Sequence, residues 1–253
     1  MAHPAGTYTP PTGPRIRFEV IGEAWGELMR NLSAWIVAML FAVIVLGGAY
    51  VIGYVVVLLP LVFTQGSDVG VIATFGGFAV FALAMIVLMG AVYGGMYRMA
   101  IRQLRGEMPT AGDLFQSFDL APRMIGVHLL VMVLTTVGFF LCVIPGFIVM
   151  GLTFLAYAIV ADQNVGSVDA IRMSWEALKK DTLMAILFAL VVSILAQIGV
   201  YACVVGALFT GPLMFLSHAI AYRDFFPERF ASQSAPPPGA PTPPSEPPTQ
   251  PGA

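Results

Sequence analysis

Residues 32–105 read LSAWIVAMLFAVIVLGGAYVIGYVVVLLPLVFTQGSDVGVIATFGGFAVFALAMIVLMGAVYGGMYRMAIRQLR. From Leu32 to Tyr97 this stretch holds one charged residue, Asp68, and then Arg98, Arg102 and Arg105 arrive in quick succession. A helix rises about 1.5 Å per residue, so about 20 apolar residues cross the roughly 30 Å of bilayer hydrocarbon. The stretch therefore has room for two crossings, at 32–59 and 70–97, separated by Pro60 and the turn sequence TQGSD. The chain leaves one membrane face after Arg30 and returns to that face at Arg98.

Working outward, all twelve Lys and Arg residues fall into four clusters. They are Arg15, Arg17 and Arg30; Arg98, Arg102, Arg105 and Arg123; Arg172, Lys179 and Lys180; and Arg223 and Arg229. The stretches Met124 to Ala161 and Leu183 to Tyr222 carry no charge and are each about twice one span. Ile144-Pro145-Gly146 divides the former into 124–143 and 146–161, because Pro-Gly is a turn signal. Gly199, Gly206 and Gly211-Pro212 are candidate breakers in the latter, giving 183–203 and 205–222. The expectation is an all-α, polytopic bundle of six spans in three helical hairpins, within a domain of residues 15–230.

Orientation follows from Lys and Arg in short loops. All twelve lie on one side, and each would cost about 2.5–3.5 kcal/mol at the centre of a span. Both termini are thus expected in the cytoplasm of a bacterium, with the protein in its inner membrane. The chain is 58% hydrophobic and 10% charged, with a mean hydropathy of +0.86. A soluble domain needs about a quarter of its residues charged. The net charge of −2 gives no basic stripe for nucleic acid. After a polar start, the first apolar run is too long for a cleaved signal and is read as an uncleaved one. Residues 1–14 and the Pro-rich 231–253 are expected to be disordered tails. The latter keeps the chain end solvated, and its Pro-x-x-Pro spacings could dock an aromatic groove.

Each hairpin reads as led by an amphipathic helix along the cytoplasmic interface. Ile21, Trp25, Leu28, Arg30 and Asn31 recur as Ile171, Trp175, Leu178, Lys180 and Asp181 at a constant offset, and Leu114, Phe118 and Arg123 echo them loosely. In the first helix Phe18, Ile21, Trp25, Leu28 and Leu32 form an apolar stripe opposite a solvated stripe of Glu19, Glu23 and Glu27.

The polar residues give few candidates for chemistry. Arg98, Arg102 and Arg105 share one helix face below Tyr93 and Tyr97, suited to bidentate contact with phosphate. With Lys179 and Lys180 they are lipid-headgroup candidates, against ordinary snorkelling to the interface. Glu107, Asp113, Asp119, Asp162 and Asp169 share their layer and could clamp loops to them. Gly90 and Gly94 form a Gly-x-x-x-Gly seam for helix packing, internal or between copies. Gln197 is a candidate for hydrogen bonding between helices; Ser193, Thr135, Thr136, His128 and His218 are the other polar groups in or near spans. Cys142 and Cys203 fall near outer span ends and could bond if their Cα atoms came within about 7 Å.

The stretch AYAIVADQNVGSVDAIRMSWEALKKD, Ala156 to Asp181, resembles a group of bacterial integral membrane proteins of unknown function. That group is similar to the membrane domain fused to some glycerophosphoryl diester phosphodiesterases. The shared features are Ala170, Ile171, Ser174, Trp175 and Lys179, the turn Ile144-Pro145-Gly146, and the loop RGEMPTAGDLF at Arg105 to Phe115. The resemblance covers residues 15–225 and implies a six-helix domain without catalytic residues to carry over. The phosphodiesterase catalytic domain is not part of it, so that activity is not implied.

No catalytic constellation, metal set or phosphate loop is visible in the sequence, and no ionisable side chain falls deep in a span. The expected function is therefore non-catalytic: a scaffold or accessory factor whose partners are membrane lipid and other membrane proteins, without cofactor or metal. The alternative is a transporter or channel for a small apolar or amphiphilic solute, with a cavity enclosed by the repeated hairpins.

Overall fold

Long runs of Leu, Ile, Val, Ala and Met become helix because lipid offers the backbone no hydrogen-bonding partners, so N–H and C=O groups must satisfy each other within the segment. In a computed structural model of the chain, the residues described are 13–64, 67–110, 112–114, 119–201 and 204–231. All regular elements among them are helical. The order is α1 (Glu19–Arg30), α2 (Leu32–Phe63), α3 (Asp68–Leu104), α4 (Ala121–Leu141), α5 (Val143–Thr153), α6 (Ala156–Gln163), α7 (Ser167–Leu178), α8 (Thr182–Tyr201), α9 (Val204–Phe225) and α10 (Glu228–Ala231). Five segments are long and apolar enough to cross a membrane: α2, α3, α4, α5 with α6, and α7 with α8. Such a set is compatible with a multi-pass membrane protein. Of the expected tails 1–14 and 231–253, residues 1–12 and 232–253 lie outside the described residues, as do Gly66, Phe115, Phe118 and Cys203.

Local chemistry sets the helix ends. Ser67 caps α3 by accepting from the Gly70 N–H. Asn164 takes the left-handed conformation, φ 54°, that closes α6. The expected turn at Ile144-Pro145-Gly146 is corrected. The break falls at Cys142, with extended φ −174° and ψ 155°, and α5 starts at Val143. Pro145 sits in the first helical turn, where its missing N–H costs no intrahelical bond. Gly146 instead brings backbones together: a Cβ on Gly138 would lie 2.9 Å from the Gly146 Cα. The expected span 146–161 is likewise two pieces, α5 and α6, joined at Phe154 and Leu155.

The charged segments gather at one end of the bundle, joined by ion pairs such as Arg17–Asp224, Arg105–Asp162 and Arg223–Glu23. Asp68 stands at the other end of α3, about 55 Å away by helical rise over its 37 residues. Away from the charged end, large side chains face outward, including Phe63, Phe75, Phe140 and Tyr201 at 73–88% exposure. An apolar surface of this extent marks a contact with lipid or with another protein.

The offset repeat extends into three dimensions. Val20, Ala24 and Leu28 are the buried face of α1, and Ala170, Ser174 and Leu178 are that of α7. Beyond them Trp35, Ala38 and Ala42 of α2 match Ala185, Phe188 and Val192 of α8 in burial at the same offset. This shifts the stripe expected for α1: its inner face runs through Val20, Ala24 and Leu28, while Phe18 and Trp25 are exposed. Small Ala24 lets α1 lie close on α9, which turns Trp25 away from the protein. Of the loose echo before α4, Leu114 lies in a short 3-10 turn at 112–114 and Arg123 in the first turn of α4, while Phe118 lies outside the described residues.

Packing is cyclic: α3, α6 and α9 touch one another, α4 packs on α3, α8 on α5, and α2 on α9. A glycine sits at each of the last three contacts. A Cβ on Gly90 would meet the Ile125 N at 3.0 Å, one on Gly151 the Ile186 Cα at 2.7 Å, and one on Gly211 the Met39 Cε. Gly90 and Gly94 thus form an internal seam with α4. Because backbone stands opposite Gly151, Gly151→Ala is expected to lower stability by about 1–3 kcal/mol through overpacking. Gly47→Ala, with open space around it, should leave the thermal midpoint in detergent unchanged or slightly raised.

Candidate functional site

The arginines Arg98 and Arg102 of α3 and its C-cap Arg105 each meet carboxylates. Arg98 forms a bidentate pair with Asp119, at 3.1 and 3.0 Å. Arg102 donates to Glu107 at 2.6 Å and to Asp113 at 2.5 Å, and Asp113 also accepts from the Thr110 N–H. Arg105 pairs with Asp162 at the end of α6 and lies over the Phe230 ring. Asp162, its side chain 1% exposed, also accepts from Arg229 at 3.2 Å and from the Tyr222 hydroxyl at 2.7 Å. These arginines join α3 to the following loop, to the start of α4, and to α6, α9 and α10.

A second cluster ties α1 to α9. Arg17 contacts Asp224 at 2.5 Å and Glu23 at 3.1 Å, and Arg223 contacts Glu23 at 2.9 Å. Glu27 pairs with Arg30, and its carbonyl accepts from Gln103, whose own carbonyl accepts from the buried Trp35 ring. Glu23 and Glu27 therefore belong to the ionic layer rather than to a solvated stripe. The electrostatics follow the geometry. The hydrogen bonds from Arg98 hold the Asp119 carboxyl below its usual range. The bond to Asp162 holds Arg229 above its own. For Arg17 burial pulls downward, and Asp224 and Glu23 outweigh it.

The lysines stand elsewhere. Lys179 pairs with Glu176 on α7. Lys180 lines a groove of about 400 Å³ with Pro14, Met173, Phe225 and Phe226. Among the described residues neither shares an ion pair with the arginines of α3. The Ser-Trp segment has a structural role: Ser174 donates to the Leu152 carbonyl at 2.7 Å, and Leu152 lies in the last turn of α5, where carbonyls lack intrahelical partners. Gln197 is exposed on α8. Cys142 is an exposed free thiol.

The structure adds a site at the convergence of α3, α6 and α9. Tyr93, Tyr97, Thr153, Phe154, Tyr157, Ser193 and His218, with Val131, Met150, Ala189 and Met214, line a partly enclosed cavity of about 150 Å³. The Tyr97 hydroxyl and His218 Nδ1 share a 2.8 Å hydrogen bond, and Tyr157 meets His128 Nδ1 at 3.3 Å. The Tyr97 ring is nearly parallel to both Tyr157 and His218, with centroids 5.8 and 6.2 Å away. His218 Nε2 is buried without a hydrogen-bond partner among the described residues. His218, Ser193, Tyr93 and Tyr97 were visible as isolated polar positions in the sequence. One signal linked two of them: Tyr97 follows Gly90 by seven residues, as His218 follows Gly211.

Comparison with known proteins finds similarity without a function. The chain is 27% identical over 160 residues to an uncharacterized protein of Mycobacterium bovis, covering 63% of this chain and 47% of that one. It is 27% and 26% identical, with the same coverage, to uncharacterized proteins of Mycobacterium tuberculosis strains CDC 1551 and H37Rv. The chain spans about half the length of these curated relatives. No family model and no solved structure matches it.

The Asp162 hub gives a direct test of the ionic layer. Asp162→Asn leaves Arg105 and Arg229 without their shared anion, and breaking a buried pair costs about 3–5 kcal/mol. A lower thermal midpoint in detergent is expected, with partial recovery when Arg105→Met is added.

Proposed function

We propose that the chain is a six-span protein of the bacterial inner membrane, arranged as three hairpins with both termini in the cytoplasm. It acts non-catalytically as a lipid-bound scaffold or accessory factor for other membrane proteins. The observation that carries this reading is the pair of amphipathic helices α1 and α7. Each buries a narrow inner face and leaves a tryptophan, Trp25 at 49% and Trp175 at 39% exposure, at the level of the ionic layer. Indole rings favour the headgroup boundary, where an apolar body and an N–H are both accommodated. The mutual pairing of arginines and carboxylates supports a structural use for that layer, leaving anionic lipid to meet its rim at residues such as Lys180. The likeness of Ala156 to Asp181 to bacterial six-helix membrane proteins is in keeping with the sixth span, supplied by α9.

The cavity between α3, α6 and α9 favours the second reading, a carrier for a small amphiphile. Gln197 and Ser193 do not form a shared polar path with Thr135, since Gln197 is exposed on α8 while Ser193 lines the cavity.

Two measurements test the proposal. A reporter enzyme fused at Gly66 or Gly206 should be active only outside the cytoplasm, and cytoplasmic activity there would remove the six-span arrangement. The triple variant Trp25→Ser, Trp175→Ser and Lys180→Gln should retain less anionic lipid through purification. A basic residue near an anionic surface contributes about 1 kcal/mol, so about fivefold weaker retention is expected from Lys180→Gln alone. Unchanged lipid in a folded triple variant would refute the lipid-bound reading.

A further inference from the structure

The groove beside Lys180 combines aromatic rings with a cation that the ionic layer leaves unused. Met173 and Ala177 of α7, Phe225 and Phe226 at the end of α9, and the exposed Pro14 line an open groove of about 400 Å³ with Lys180. Glu176, the remaining lining residue, is engaged by Lys179. Lys180 is exposed and shares an ion pair with none of the described residues. The described chain ends close by. Phe230 of α10 packs on Tyr222 and beneath Arg105, which holds Ala231 five residues past Phe226.

The Pro-rich residues 232–253 follow, and Glu246 is their only charged side chain. A polyproline II helix turns every three residues, so in that conformation Pro241, Pro244 and Pro247 fall on one edge and Glu246 on the next. At a rise of about 3.1 Å per residue, the fifteen residues from Ala231 to Glu246 reach about 46 Å, ample to return to the groove. Aromatic-lined grooves take such segments because the ligand is already extended and loses little entropy on docking. Residues 1–12 also hold prolines but no Asp or Glu, so their side chains offer Lys180 no counter-charge. We infer that this groove is the docking site of the chain's own segment Pro241–Pro248, with prolines against Phe225 and Phe226 and Glu246 on Lys180. Tethering sets an effective concentration in the millimolar range, so even a contact with a Kd of about 1 mM is populated. The inference stands apart from the lipid-bound reading, which uses Lys180 but has no part for Glu246.

The test is zero-length carbodiimide coupling of the full chain in nanodiscs of phosphatidylcholine, which presents no anionic lipid to Lys180. Lys179 and Lys180 are the only lysines of the chain, so the products are few. Peptide mass spectrometry should find Glu246 joined by an amide bond to Lys180 within one chain. Changing Pro241, Pro243, Pro244, Pro247 and Pro248 together to Ala keeps the length and charge of the segment and lies outside α1–α10. That variant should lower the yield by about fivefold, since the pre-extended conformation is lost. Phe226→Ala should do likewise, and the proline variant decides alone if Phe226→Ala does not fold. An undocked segment meets Lys180 only by collision, so equal yields from the wild type and the proline variant overturn the inference. So does absence of the Lys180–Glu246 product, or its formation only between two chains, which puts a neighbour's segment in the groove.

Discussion

A guanidinium or carboxylate in hydrocarbon has no partner for its charge, and this cost organises the molecule. The clusters that hold all twelve Lys and Arg are drawn to one end of the helices, with most of the acids. There α1, α7 and α10 cover part of the layer, so several carboxylates become buried as well as crowded. Asp113, Asp162 and Asp224 have side chains only 1–3% exposed, and each is held by a guanidinium. Arginine suits the task because its planar fork reaches several oxygens at once while its stem stays in apolar surroundings. Asp162 alone ties together Arg105 from α3, Tyr222 from α9 and Arg229 from α10.

Below that layer the physics changes. Lipid tails are as apolar as leucine, so no hydrophobic effect draws one helix to another, and close packing must supply the attraction. The contact glycines meet this need by letting α3, α5 and α9 approach α4, α8 and α2. Farther from the charged end the packing thins. None of the residues in the most apolar stretch of α3 is buried, and α3 packs there chiefly on α2. The order of the fold is therefore concentrated at the charged end.

The sequence makes the long apolar helices legible because charge and hydropathy act locally: a run without Lys or Arg carries its own signal. The Trp25 and Trp175 repeat was legible for the same reason, since an amphipathic helix carries its pattern within twelve residues. Pro145-Gly146 misled because the same dipeptide serves a turn or the first turn of a helix, and the choice was made by the contact between Gly138 and Gly146. The roles of Glu23 and Glu27 were hidden for a different reason. Glu23 finds Arg223 two hundred positions along the chain, a pairing that no local spacing encodes. The cavity was hidden most completely, because its rings come from separate helices and mean little until these converge.

That convergence relates the two regions. Tyr97, Tyr157 and His218 precede Arg102, Asp162 and Tyr222 by four or five residues, about one helical turn. Each of these three positions in the ionic layer is therefore held by the same rigid helix that carries a ring into the cavity. The ion pairs fix the lateral spacing of α3, α6 and α9 at their ends, and the contact glycines fix it again one or two turns below Tyr97 and His218. Between two such clamps the rings have little freedom to collapse onto one another. The cavity is then a consequence of how charge and glycine are distributed along the helices, with Tyr97 bonded to His218 and Tyr157 to His128 rather than to the ionic layer.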